Sequence, residues 1–182
     1  MTNKAEQAIE IAEKITDLYE TNRLMAYEPY EYQKRFHDAK DMGGRLARQR
    51  LLMAANKTGK TFCGATELAL HLTGRYPQWW TGAKFSRPIT AWAAGNTTAN
   101  TRDIVQAELL GEPGDEEEFG KGAIPKQYIS GTPLRMPGVP NAYQSLNVKH
   151  ISGRNSKLIF KSYEQGKMQW MGKAVDVTWL DE

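Results

Sequence analysis

The chain has one cysteine, Cys63, among 182 residues. An internal disulfide is therefore excluded, and a zinc site built on cysteines is not expected. The three histidines, His37, His71 and His150, do not stand at the spacing with which a helix presents metal ligands, so no transition-metal site is expected. Long apolar runs are also missing. The longest are short, such as Leu51 to Ala55, against the roughly 18 apolar residues that a membrane-spanning helix needs. The first residues carry Lys4, Glu6, Glu10, Glu13 and Lys14, which is not the apolar stretch of a signal peptide. Nor does one sign of charge dominate: 24 basic residues stand against 21 acidic ones, for a net charge of +3.

What is present is an ordinary globular balance. Hydrophobic residues make up 40% and charged residues 25%, enough apolar material for a core and against a mainly disordered chain. The length fits one domain. Charge is distributed in blocks. Residues 34–60 hold eight basic residues and two acids, residues 149–173 hold six basic residues and one acid, and residues 103–118 hold seven acids and no base. Such blocks suit either a polyanion-binding surface or the solvated faces of ordinary elements.

Ala5, Ala8, Ile9, Ala12, Ile15, Leu18 and Tyr19 recur at helical steps and predict an amphipathic helix over 4–22, whose stripe should cover a core or a partner. Pro29 breaks it. A second short helix is expected through Gln33, Phe36 and Ala39, ended by Gly43-Gly44. The run 51–55 followed by a turn at 56–61 and a helical stretch over 62–72 reads as strand, turn, helix. Ile89 to Ala94 reads as a buried strand and Thr101 to Leu110 as a helix. Residues 111–147, rich in glycine and proline, read as an extended surface excursion. Leu158 to Phe160 and Val175 to Leu180 read as strands. Trp79 and Trp80 are expected to pack beneath their own loop, and Trp92 and Trp179 to lie in the core. The alternation predicts an α/β domain with a mostly parallel sheet flanked by helices.

Gly59-Lys60-Thr61 carries the chemistry. At the start of a helix, backbone N–H groups converge with partial positive charge on one spot where an anion can sit. Lys60 can reach the outer phosphates of a nucleotide, and the Thr61 hydroxyl can bind magnesium. The usual glycine five positions before Gly59 is replaced by Ala54, which makes Ala54-Ala55-Asn56-Lys57-Thr58-Gly59-Lys60-Thr61 a deviant Walker A loop. At the other end of the chain, an apolar strand runs into Asp181-Glu182. One carboxylate off a strand tip can hold magnesium, and the next can activate water.

These segments, with Tyr30 to Phe36, His71 to Pro77, Ser162 to Gly166 and Trp179 to Glu182, resemble the N-terminal ATPase of the terminase large subunits of tailed bacteriophages, most nearly those of short-tailed, headful-packaging phages. The resemblance implies a P-loop NTPase fold of the RecA-like, additional-strand catalytic-glutamate class. It implies an N-terminal helical segment over 1–26 and an ATPase domain over 27–182. It also implies ATP and Mg2+ as ligands, held by Gln33 at adenine, by residues 54–61 at the phosphates and by Thr61 and Asp181 at the metal. Glu182 would be the catalytic base. Many terminases carry an arginine where this chain has Asn56, so the transition-state cation falls to Lys57, or to a neighbouring subunit through Arg102 or Arg154; lysine is not an equivalent replacement.

The activity so implied is ATP hydrolysis that drives double-stranded DNA into a procapsid. The portal protein and small terminase subunit would be partners, in a homo-oligomeric ring in the host cell cytoplasm with no membrane. The family continues past Glu182 with more sheet and a nuclease domain, so the chain reads as a fragment or truncated product with weak turnover of its own. Two alternatives stand beside this: a superfamily-two helicase-like DNA-dependent ATPase, and a non-catalytic truncated remnant.

Overall fold

A computed structural model of the protein describes residues 4–172 and 174–181. Three helices precede the first strand: α1 (Lys4–Thr21), α2 (Glu31–His37) and α3 (Lys60–Thr73). β1 (Thr90–Gly95) leads into a continuous helical passage of α4 (Thr98–Asn100), a π-helical stretch (Thr101–Gln106) and α5 (Ala107–Leu110). Four strands follow, β2 (Ile129–Arg135), β3 (Tyr143–Lys149), β4 (Asn155–Ser162) and β5 (Val177–Leu180). They form one sheet with β1 in the order β2-β3-β4-β1-β5.

The domain is α/β, but the sheet is mixed rather than mostly parallel. β1 runs parallel to β4 and β5, with Ala93 opposite Phe160 on one side and Trp179 on the other. β3 pairs antiparallel with both β2 and β4. The connections explain this. β3 reaches β4 through residues 150–154, closed by His150 N–H donating to the Arg154 carbonyl at 2.8 Å; so short a link permits only an antiparallel neighbour. Leu146 and Val148 are buried, while Asn147 and Lys149, each next along the strand, are exposed, the alternation of a strand with one solvated face.

The excursion expected over 111–147 is therefore also corrected. It contains β2 and most of β3, and it buries Phe119, Ala123, Ile124 and Tyr143. Its glycines serve close backbone approach as well as turns. A Cβ at Gly122 would lie 2.4 Å from backbone atoms of Leu109 and Leu110. There Ala123 and Ile124 N–H groups donate to the Glu108 and Leu109 carbonyls at 2.8 Å each.

The run 51–55 is not a strand. Leu51 is 81% and Met53 82% exposed, and no ladder pairs them. The carbonyls of Ala54 and Ala55 are taken instead by side chains of the loop that follows. α2 ends at His37, before the glycines expected to stop it, because the Arg50 guanidinium takes the Phe36 and His37 carbonyls at 3.1 Å each. Gly43-Gly44 forms the tip of a small hairpin in which Lys40 bridges Leu46. α1 is helical as the spacing predicts, but Ile9 and Ile15 on its stripe are exposed. The stripe covers no core among the described side chains. Trp80 and Trp92 are buried, Trp79 and Trp179 are half-buried against the core, and the Trp80 indole N–H donates to the Ala83 carbonyl at 2.9 Å.

α3 packs through Ala65, Leu68, Ala69 and Leu72 into a core shared with Ala91, Ala93, Leu158 and Phe160. The parallel strands β4, β1 and β5 all end at one edge of the molecule. The carboxyl ends of parallel strands are where α/β sheets usually receive ligands.

Candidate nucleotide site

At that edge the first turn of α3 meets the end of β5. β5 is extended one residue by the Asp181 N–H, which donates to the Ala94 carbonyl at 2.8 Å. The Asp181 carbonyl accepts from the Tyr163 hydroxyl at 2.9 Å. With its backbone held twice, the Asp181 side chain accepts from the Thr61 hydroxyl at 3.2 Å. Two residues 120 apart in the chain are thus joined. A hydroxyl and a carboxylate are hard oxygen ligands, the set magnesium takes when substrate phosphates and water complete its shell. The Tyr163 phenol is raised above its ordinary value by burial and by the Asp181 charge, so it remains a donor.

The loop before α3 turns sharply. Lys57 has φ 61° and Gly59 φ 85°, left-handed conformations that glycine adopts freely and lysine at a cost. The Thr58 hydroxyl donates to the Ala55 carbonyl at 2.8 Å. Lys60 Nζ donates to the carbonyls of Ala54 and Ala55 at 2.8 and 3.1 Å. The ammonium is therefore folded over the loop, where its charge is available to an anion. Asn56 and Lys57 are exposed at the turn.

Gln33 sits under this loop, 2% exposed. Its carboxamide accepts from the Tyr30 N–H at 2.9 Å and donates to the Gly59 carbonyl at 3.1 Å. Beside it the Tyr32 hydroxyl donates to the Thr58 carbonyl. α2 thus grips the loop through two side chains. A Cβ at Gly59 would lie 3.3 Å from Gln33 Nε2, so a side chain there would be strained twice, by φ and by contact.

Glu182 lies outside the described residues. Arg102 is bound to Asp103 at 2.6 Å and to the Pro140 carbonyl at 3.3 Å. Arg154 stands just before β4 begins, at the end of the sheet opposite to Asp181. Among the described residues no group of three histidine, cysteine or acidic side chains could hold a metal. Cys63 is fully buried, and burial pushes its thiol up to about 12, away from thiolate chemistry.

Sequence reasoning missed Tyr163, which holds Asp181, and Tyr32, which holds Thr58, and it missed a buried cluster centred on Glu67. His37 and His71, 34 residues apart, converge on Glu67. Glu67 Oε2 meets His37 Nδ1 at 2.6 Å and Glu67 Oε1 meets His71 Nε2 at 3.3 Å. Arg50 completes the group. The available signal was a carboxylate four residues before a histidine on an otherwise apolar helix.

Residues 51–182 match the family model described as terminase large subunit, T4likevirus-type, N-terminal. The chain belongs to the terminase large-subunit family. A relative within it, the terminase large subunit of Salmonella phage P22, is 33% identical over 97% of this chain and 38% of its own length. The chain thus spans well under half of that relative. No solved structure matches the chain. Within this terminase-family chain, the family match takes in the whole of residues 54–61 and Asp181, and it starts after Gln33 and α2. No helix among the described residues is long and apolar enough to cross a membrane.

Proposed function

We propose that this chain is the ATP-hydrolysing part of a phage DNA-packaging motor. Its fold would be the RecA-like P-loop class with a catalytic glutamate, and its substrate ATP with Mg2+. The observation that carries the reading is the meeting of Thr61 and Asp181 at the mouth of the Lys60 loop. A strand-tip carboxylate beside a helix-starting Gly-Lys-Thr is the arrangement such chemistry needs. Family membership adds the link to packaging.

In this reading the N–H groups at the start of α3 and the Lys60 ammonium bind the phosphates, Lys60 exchanging its two loop carbonyls for phosphate oxygens. Thr61 and Asp181 hold magnesium, which when bound neutralises charge on the outer phosphates. Gln33 reads adenine by exchanging its two backbone partners for the base edge, since a carboxamide offers one donor and one acceptor side. Lys57, exposed at the turn, brings positive charge toward the γ-phosphate. Glu182 takes the proton of the attacking water. The resulting work moves double-stranded DNA into a procapsid, with the portal protein and small terminase subunit as partners, in a ring of like subunits in the host cytoplasm.

The experiment is magnesium-dependent phosphate release from ATP by the wild type, Lys60→Ala and Glu182→Gln. The reading expects release by the wild type, loss of it on the order of a hundredfold in both variants, and nucleotide binding retained in Glu182→Gln alone. Equal rates in all three would overturn it.

A further inference from the structure

The loop 51–59 has no regular secondary structure, yet its shape decides where Lys60 and the N–H groups of α3 point. Its outside supports are few. From α2, Tyr32 holds the Thr58 carbonyl, and Gln33 holds the Gly59 carbonyl until the proposed adenine takes its amide. Arg50 fixes the entry to the loop, with its guanidinium on the Phe36 and His37 carbonyls at the end of α2 and 4.9 Å over the Phe36 ring. α2 therefore touches both ends of the loop, and whatever fixes α2 fixes the loop.

Glu67 is that fixture. It lies on α3, the helix the loop runs into, and its side chain is 7% exposed. One carboxylate oxygen accepts from Arg50 Nη2 and faces His71. The other meets His37 Nδ1 at 2.6 Å and accepts from Arg50 Nη1 at 3.3 Å. A single carboxylate thus joins three pieces: the loop entry through Arg50, the end of α2 through His37, and α3 itself. An ion pair this buried contributes little net stability compared with an apolar cluster of the same volume. What it supplies is direction, because a planar fork on a carboxylate admits one arrangement where apolar side chains admit several.

We infer that Glu67 is a positioning residue for the phosphate loop, acting through Arg50 and His37 to hold the loop in the conformation that accepts nucleotide phosphates. This rests on the proposed nucleotide site for its ligand but not for its mechanical content. It acts on the loop and takes no part in the chemistry.

The test has two arms, run on the wild type, Glu67→Gln and Arg50→Lys. Gln keeps the shape of Glu67 and loses the charge. Lys at position 50 keeps the charge and loses the fork, at a side chain 21% exposed, where folding is the less disturbed. The first arm is trypsin cleavage after Lys57 in the loop, with cleavage after Arg154, in the exposed turn before β4, as internal reference. Both variants should be cut after Lys57 several-fold faster than the wild type, with cleavage after Arg154 unchanged. Unchanged cleavage after Lys57, or equal acceleration at both sites, would overturn the inference, the second because it marks general loosening. If Glu67→Gln fails to fold, Arg50→Lys decides by the same criteria. The second arm is the dissociation constant for a fluorescent ATP analogue with magnesium, expected to rise about tenfold in both variants. Wild-type affinity in a variant with a loosened loop would remove the link to nucleotide. No saturable binding by the wild type itself would instead sink the proposed function, while the cleavage arm still decides whether Glu67 holds the loop.

Discussion

Replacing Gly64 by alanine separates two opposed effects at the junction of α3 with β5. Gly64 lies in the second turn of α3, where alanine is the better helix former by roughly 0.8–1 kcal/mol. On propensity alone the variant would be more stable. The structure says otherwise, because a Cβ there would stand 2.3 Å from Trp179 Nε1 and 2.7 Å from Trp179 Cε2. These are ring atoms packed against the core, so the contact is relieved only by moving the indole or by parting α3 from β5. Overpacking of this kind costs about 1–3 kcal/mol. The net is a loss of about 1 kcal/mol, which in a domain of this size lowers Tm by about 2–4 °C. Trp179 stands two residues before Asp181, so displacing it should also disturb the Thr61–Asp181 pair and weaken magnesium-dependent nucleotide binding. The assay is a thermal melt followed by circular dichroism, with an ATP titration in magnesium on the same samples. A Tm raised by 2 °C or more would refute the clash, and unchanged nucleotide binding with a lowered Tm would refute the coupling of Trp179 to the site.

Asp181→Asn should keep the Thr61 contact in shape and weaken magnesium's contribution, so that its ATP affinity becomes nearly the same with magnesium and with EDTA; a full magnesium effect would contradict this. Tyr163→Phe removes the donor to the Asp181 carbonyl and should cost about 1 kcal/mol of stability, read from a urea midpoint. For Glu67, burial pushes the carboxyl upward, but hydrogen bonds from His37 and His71 and the charge of Arg50 outweigh it and hold it below the ordinary value of 4.5. A depressed carboxylate contributes stability that is fully present above its unfolded value and is lost as the pH falls through its folded one. Denaturant midpoints should therefore fall below about pH 4.5 in the wild type more steeply than in Glu67→Gln, and parallel acid limbs would refute the assignment.

Much of this was legible in the sequence, and the rest was hidden for physical reasons. α3, β1, β4 and β5 announced themselves because each is apolar at the period of its own element and bounded by turn residues. The Thr61–Asp181 meeting was legible because Gly-Lys-Thr and a strand-tip carboxylate are both short and local. The 51–55 run misled because an apolar stretch predicts burial only when another element covers it, and none of the described strands pairs with Leu51 or Met53. β2 and β3 were obscured because glycines and prolines that normally mark loops here allow the chain to press against α5 before it turns into the sheet. The Glu67 cluster was illegible as a group. His37, Arg50 and Glu67 lie on separate segments, and only the fold brings them together.

The proposed site binds ATP with magnesium through the Lys60 loop and Asp181 together. That binding is tested most directly by calorimetric titration of ATP into the chain, with magnesium and with EDTA, for the wild type and Lys60→Ala. Saturable binding by the wild type that weakens in EDTA and disappears in Lys60→Ala is the predicted result. Binding by Lys60→Ala equal to that of the wild type, or none by either protein, would contradict it.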